Sequence, residues 1–309
     1  MEEHIEKKLD LSIIVVTYNS FGTINQCIKS IIQTIKKHSF EIIVIDNVSS
    51  DDTIKLVQNL TSVGSRPKFK FILNKDNVGF SIANNQGIKA SSKSHYVLFL
   101  NPDTIVYEKT IDGMIDFMDK NSDAGAATCF VELKNGGLDD SCHRGFPTLA
   151  RSLFYFTGLS KIFPKSKFFS GYNMTYLNLA KTHEIDALAG SFMIVRRNVG
   201  ERLGWWDEDF FFYGEDIDFC FRIKKLGYKI YFVPDFKVLH YKGVSSGIKK
   251  VSNEMSKATR ETKLFATHHR FNAMKIFYKK HYEKKYPKFI NWLVLRVIDL
   301  KSYLALKSF

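Results

Sequence analysis

Four times near its amino end the chain passes from a short apolar run through a polar turn into apolar residues at helical spacing, and that alternation limits the fold more than any other feature. Leu11 to Val16 ends in Thr17-Tyr18-Asn19-Ser20, after which Ile24, Cys27, Ile28, Ile31, Ile32 and Ile35 recur on one helical face. Glu41 to Ile45 runs into Asp46-Asn47-Val48-Ser49-Ser50-Asp51-Asp52 and a helix over Thr53 to Leu60, with Ser50 and Asp51 also suited to capping it. Lys70 to Leu73 leads through Asn74-Lys75-Asp76-Asn77-Val78-Gly79-Phe80 to a helix through Ala83, Ile88 and Ala90. Tyr96 to Leu100 is the fourth run. Strands alternating with helices predict an α/β fold with a mostly parallel sheet, whose right-handed crossovers collect the turns after each strand at one edge. Thr17, Asp46, Asn77 and Asp103 then face one crevice.

The fourth strand is apolar on both faces, as a central strand must be, and Asn101-Pro102 stops it because proline donates nothing to a ladder. Asp103 thereby arrives at the carboxyl edge of the sheet, where α/β proteins bind ligands and where a lone acid can hold a divalent cation bridging a diphosphate. An ordinary strand-to-turn stop is the alternative, since Asn-Pro-Asp is also common turn chemistry. None of the turns has the glycine pattern of a dinucleotide fold or a phosphate loop. A diphosphate here would need a metal ion rather than a cage of backbone amides.

Length and charge bound the rest. The 309 residues suffice for one large domain with an appendage. The formal charge of +13, from 45 Lys and Arg against 32 Asp and Glu, points to a polyanionic partner or an anionic membrane surface. Cys27, Cys129, Cys142 and Cys220 lack metal-ligand spacing and the amino end lacks a signal-peptide pattern, so the expected setting is cytoplasmic, with any membrane attachment peripheral on the inner face. No uncharged run is long enough to span a bilayer.

Further along, Thr110 to Met118 reads as a helix, Gly125 to Val131 as a strand and Asn135-Gly136-Gly137 as a turn. Ser152 to Tyr176 is aromatic and basic without clear periodicity, which suits a loop over a site or a surface facing a lipid-linked acceptor. Small residues around Gly190 precede a buried strand and let a ligand approach the backbone. An aromatic run from Trp205 and Trp206 to Tyr213 delivers Glu215-Asp216 to the first turn of a helix, where the helix dipole favours carboxylates; capping is the plainer role, and is the one expected for Asp218. Tyr228 to Val233 and Phe236 to Tyr241 read as late strands, the second carrying His240. From Val251 onward the helices are rich in Lys, Arg, His and aromatics, and the last one is broken by Arg296, Asp299 and Lys301. That pattern fits a helix lying in a membrane interface or one packing on the domain, and carries no nucleic-acid motif.

The series Thr17-Tyr18-Asn19, Asp46-Asn47-Val48-Ser49-Ser50-Asp51, Asn77-Val78-Gly79-Phe80 with Asn84-Asn85-Gln86-Gly87, and Leu100-Asn101-Pro102-Asp103 resembles the nucleotide-sugar-binding half of family 2 glycosyltransferases of GT-A fold, in particular the bacterial rhamnosyltransferase branch. The resemblance covers residues from about 10 to 245, giving a catalytic domain over 1–245 and a basic helical extension over 246–309. It implies a nucleotide diphosphate sugar held with Mg²⁺ or Mn²⁺, Asp103 as metal carboxylate at the family's Asp-X-Asp position with Asn101 in place of the first acid, and His240 as a second metal ligand. It implies donor binding by Thr17, Tyr18, Asn19, Asp46, Asn47, Asn77, Gly79 and Asn101, with the choice between Asp46 and Asn47 for the base left open because many members carry two acids there. Ser141-Cys142-His143-Arg144-Gly145-Phe146-Pro147 is similar to a segment near the branch's reaction centre, which assigns Arg144, with Gly190 and Trp206, to diphosphate or acceptor. Glu215-Asp216 matches the position whose Asp is the general base, a role in which neighbouring acids and aromatic walls would raise its pKa.

The function so implied is an inverting, metal-dependent transfer of a deoxyhexose, L-rhamnose from dTDP-rhamnose, onto a lipid-linked or polysaccharide acceptor such as a polyprenyl-diphosphate sugar. Another sugar (galactofuranose, glucose, N-acetylglucosamine) and a non-catalytic glycan-binding relative are the rivals. Oligomeric state stays open.

Overall fold

A computed structural model describes residues 8–61, 67–241 and 259–308. The order of elements is β1 (Leu9–Thr17), α1 (Ile24–Thr34), β2 (Phe40–Asp46), α2 (Thr53–Thr61), β3 (Lys68–Leu73), α3 (Phe80–Ala90), β4 (Ser94–Leu100), β5 (Thr104–Val106), α4 (Thr110–Lys120), β6 (Ala124–Leu133), α5 (Leu149–Phe156), α6 (Leu159–Ile162), β7 (His183–Ile185), β8 (Phe192–Arg196), α7 (Arg197–Leu203), α8 (Glu215–Lys225), β9 (Lys229–His240), α9 (Arg260–His281) and α10 (Lys288–Lys307). Among the described residues the strands form one nine-stranded sheet in the order β3-β2-β1-β4-β8-β6-β9-β5, with β7 paired to β9.

The alternating first half folds as its pattern predicts. β1 is parallel to β2 and to β4, and β2 to β3, so Thr17, Asp46 and Leu73 lie in register and open at one edge with Leu100. The second half departs from a parallel sheet. β8 runs antiparallel to β4 with Leu100 opposite Phe192, β6 runs antiparallel to β8, and β9 runs parallel to β6. Two reversals thus bring the end of β9 back to the edge where β1 to β4 end. There β5, three residues long, pairs antiparallel with β9 and sets Thr104 opposite His240.

Both faces of the sheet are covered, which is why β4 is apolar throughout. Leu98 and Leu100 face a core built with Ile24, Cys27, Ile28 and Ile31 of α1 and Ile111, Met114 and Met118 of α4. Val97 and Phe99 face the opposite core, built with Ala83 and Ile88 of α3 and Phe219, Cys220 and Ile223 of α8. A third cluster sits on the outer side of α8, where Ile217 and Phe221 meet Ala273, Phe277, Tyr278 and Tyr282 of α9 and its end, with Val294 and Leu295 of α10 behind them. The tail thus packs on the domain through α9, while α10 buries only Ile298. The division at 245/246 lies outside the described residues. No described helix is long and apolar enough to cross a membrane.

Candidate functional site

The turn after β2 is built around one carboxylate. Asp46 accepts from Thr17 Oγ1 at 2.9 Å and from the Ser49 amide at 2.9 Å, and it is almost wholly buried. Asn47 donates its amide to the Gly79 carbonyl at 3.1 Å and accepts from Asn74 at 2.8 Å. Asn77 Oδ1 accepts the Gly79 amide at 3.0 Å, and Asn19 Oδ1 accepts the Ser50 amide at 2.8 Å. Asp46, Asn47, Asn77 and Asn19 therefore act first as the fasteners that give the crevice its floor. Gly79, at φ +83°, is required: a Cβ there would lie 2.6 Å from the Phe211 carbonyl oxygen. Tyr18 and Val48 stand exposed above this floor and offer flat apolar surface.

At the end of β4 four polar side chains converge. His240 Nε2 lies 3.2 Å from Asp103 Oδ1 and 3.4 Å from Asn101 Nδ2, and its Nδ1 lies 3.1 Å from Asp139 Oδ2. Asp139 is fully buried, and its other oxygen accepts the Ser141 amide at 2.9 Å. A carboxylate fixed in this way accepts a hydrogen bond from Nδ1–H, which leaves the Nε2 lone pair aimed at the Asp103 carboxylate. Two acceptors facing each other at 3.2 Å attract only when a proton or a cation lies between them. The donor set, one carboxylate and one imidazole oriented by a second carboxylate, fits Mn²⁺ or Mg²⁺. No described group of three or more His, Cys, Asp and Glu side chains is arranged to hold a metal, so Asp103 and His240 would supply two of an ion's ligands and the rest would come from other groups, such as water or phosphate oxygens.

The acidic pair sits at the start of α8, behind the left-handed Gly214. Asp216 Oδ2 accepts from Arg144 Nη2 at 2.6 Å, and both side chains are mostly buried. Arg144 thus binds the acid that the resemblance assigns as base rather than the diphosphate or acceptor, and among the described residues its Nε is a buried donor without a partner. Beside Asp216, burial, and then the Asp216 carboxylate, push Glu215 up to about 8. Asp218 does not cap α8, whose N-cap is Gly214; it is a buried structural acid held by Arg222 Nε at 2.7 Å and His281 Nε2 at 2.6 Å.

Gly190 and Trp206 lie side by side without opening to the crevice. A Cβ on Gly190 would meet the Phe80 ring at 3.2 Å, so its small size makes room for an aromatic ring rather than a ligand. Trp206 is in the core, edge-on to Phe99 with ring centroids 4.7 Å apart. The wall nevertheless connects the two halves of the site, because the Ser191 carbonyl accepts the Asn101 amide at 3.1 Å and Ser191 Oγ lies 3.2 Å from Cys142 Sγ. Asp139 was missed in the sequence. Its only signal was the turn that begins at Asn135, and its partner is 101 residues away.

The family model described as Glycosyl transferase family 2 matches residues 12–216, and that described as Glycosyl transferase family group 2 matches 163–271. The chain is 27% identical over 228 residues to Rhamnosyltransferase WbbL of Escherichia coli (strain K12), a match spanning 65% of this chain and 82% of that protein. It is 24% identical over 308 residues to N-acetylglucosaminyl-diphospho-decaprenol L-rhamnosyltransferase of Mycobacterium tuberculosis (strain ATCC 25618 / H37Rv), spanning 96% and 93%. Among solved structures, the mannosyltransferase PcManGT from Pyrobaculum calidifontis in complex with GDP-Man and Mn²⁺ superposes with a TM-score of 0.60 at 16% identity, over 98% of this chain and 73% of that one. GalNAc-T7 with UDP, GalNAc and Mn²⁺ superposes with a TM-score of 0.57 at 20% identity, over 76% of this chain and 44% of that longer one. The chain belongs to glycosyl transferase family 2 and is a glycosyltransferase of GT-A fold.

Proposed function

We propose that this glycosyltransferase moves L-rhamnose from dTDP-rhamnose, with inversion and with a divalent metal, onto a lipid-linked or polysaccharide glycan acceptor. One observation carries the mechanism: the Asp103 and His240 pair and the Arg144 and Asp216 pair sit on neighbouring elements joined through Ser191 at one sheet edge. The names of the two rhamnosyltransferases it resembles, one along nearly its whole length, support the sugar. The decaprenol-linked acceptor in the name of the second supports a lipid-linked acceptor here.

In this reading Tyr18 and Val48 receive the base, and the Asp46 turn holds them in place. Asp103 and His240 would hold the divalent cation, which would supply positive charge against the negative charge growing on the departing diphosphate. Asp139 would keep the His240 Nε2 lone pair directed at that ion. Asp216 takes the proton from the acceptor hydroxyl as that oxygen attacks the anomeric carbon from the face opposite the leaving diphosphate, which inverts the centre in one displacement. Arg144 fixes the orientation of the carboxylate that faces the acceptor. Glu215, neutral at physiological pH, adds no second negative charge beside it.

Release of free nucleoside diphosphate from a panel of sugar donors, with and without Mn²⁺ or Mg²⁺, tests the reading. Turnover confined to dTDP-rhamnose, dependent on metal and reduced at least about 100-fold in Asp103→Ala, is the expected result. Turnover of a different donor would overturn the rhamnose assignment, and metal-independent turnover retained by Asp103→Ala would overturn the role of Asp103.

A further inference from the structure

α10 is twenty residues long, yet it buries only one of them. Phe289, Leu293, Val297, Leu300 and Leu304 follow one another at helical spacing along its exposed side, flanked by Trp292 and Tyr303. A helix this apolar on its outer side is unusual in water. Beside it lies a second such surface. α5 buries none of its residues, and Leu153, Phe156, Ile162, Phe163 and Phe168 are exposed over α5, α6 and the segment after them. The two surfaces join where Lys301 of α10 places its ammonium 4.0 Å from the centre of the Phe156 ring.

Charge then selects the occupant. From Phe146 to His183 the sequence has no Asp or Glu, while it carries Arg151, Lys161, Lys165, Lys167 and Lys181. α10 has one acid, Asp299, and that acid is paired with Lys275. Arg296 and Lys307 lie over Trp292 and Tyr303 with centroid distances of 5.9 and 4.5 Å, the arrangement of an aromatic body with a cationic tip. A groove of about 480 Å³, lined by Thr148, Ala150, Arg151, Phe154, Lys167 and Phe168, opens on the same side. A second copy of the chain would bring two cationic faces together, and an acidic protein would leave the aliphatic stripe without a match. An anionic bilayer satisfies both: acyl chains for the stripe and lipid phosphates for the cations.

We propose that α10 and the face formed by α5 and α6 dock together on an anionic phospholipid bilayer. The N-cap of α5, Thr148, follows Arg144 by four residues, and Arg144 is bonded to Asp216. A bilayer held by α5 therefore presents its surface next to the acidic pair, where a lipid-linked hydroxyl must arrive. The inference rests on the proposed lipid-linked acceptor only for this last step.

The test uses the full chain with vesicles of phosphatidylcholine, alone or mixed with phosphatidylglycerol. The protein should sediment with the mixed vesicles and not with the neutral ones, and release as salt is raised. Tryptophan emission should shift to the blue on binding, since Trp292 is 61% exposed while Trp205 and Trp206 are buried. Reversing Lys161, Lys165 and Lys167 to Glu should weaken vesicle binding at least roughly 100-fold. Leu300→Glu with Leu304→Glu should also abolish the emission shift. Both variants lie outside the crevice and should release nucleoside diphosphate from soluble donor at the wild-type rate, which shows that they fold. Binding that is absent, equal on neutral vesicles, or unaffected by either variant overturns the proposal, as does a dimer in sedimentation equilibrium that the leucine variant dissolves. Vesicle binding without donor turnover would leave the docking intact and overturn the proposed reaction instead.

Discussion

In the proposed mechanism His240 owes its role to its partners. On its own, a histidine at a strand end is a satisfied core side chain as often as a ligand, and the decision lies with Asp139, whose carboxylate faces Nδ1 at 3.1 Å. An amide in place of that carboxylate would donate to Nδ1 as readily as it accepts, and so would move the ring proton to Nε2 in part of the population. Asp139→Asn should therefore raise the metal concentration for half-maximal donor turnover about 10- to 100-fold, with much of the rate recovered at saturating metal. Titrating Mn²⁺ against nucleotide release separates this from simple destabilisation, which would lower the rate equally at every metal concentration. Under the same proposal Asp103 is left open to a cation: its carbonyl is used by the Tyr241 amide at 2.9 Å, and among the described residues its carboxylate is paired with His240.

At the scale of elements, α8 is the part on which chemistry and stability meet. Its first turn carries Glu215, Asp216 and Asp218 and its last turn Arg222, Lys224 and Lys225, which complements the helix dipole at both ends. α9 clamps it from outside through His281 on Asp218 and through the rings of Phe277 and Tyr282 on Phe221. Burial alone would raise the Asp218 carboxyl, but the His281 hydrogen bond and the Arg222 guanidinium outweigh it and hold the group below its ordinary value. Removing one partner leaves this buried charge half-compensated. His281→Ala should cost about 2–4 kcal/mol in urea unfolding and lower kcat while leaving KM for the donor near wild type, and His281→Gln should restore most of both. The strands that lead to the site were legible because each is apolar on two faces and ends in turn residues. The rest failed for identifiable reasons. β5 and β7 are three residues long, too short for any period to register. β9 reads as two strands because the register against β6 jumps from Val233 to Lys237 across Pro234. α5 spans only eight residues and buries none of them, so it has too few turns and no buried positions to mark it as a helix within the aromatic, basic segment. The contact of His240 with Asp139 needs the reversals of β8 and β6, which no local pattern announces.

Across the whole molecule, two buried groups with opposite displacements shape stability against pH. Burial, and then the neighbouring His183, push His143 down to about 4, so between pH 6.5 and 4 the unfolded chain binds a proton that the folded chain refuses, and stability falls as pH falls. His183, also displaced downward by burial, acts in the same direction. Glu215 does the reverse. With its carboxyl pushed up to about 8, the folded chain holds a proton that the unfolded chain gives up near the ordinary carboxyl value, and stability falls as pH rises from 4.5 to 8. Below pH 6.5 the two histidines oppose Glu215, whereas above that value Glu215 dominates. Stability should therefore decline by on the order of 1–2 kcal/mol between pH 6.5 and pH 8. Glu215→Gln copies the shape of the neutral acid and cannot ionise. In urea unfolding without metal or donor it should match wild type near pH 5 and exceed it at pH 8, which removes the alkaline decline. Parallel pH curves for the two proteins would mean that Glu215 is already ionised in the folded state, and its charge would then stand beside Asp216 in the proposed proton transfer.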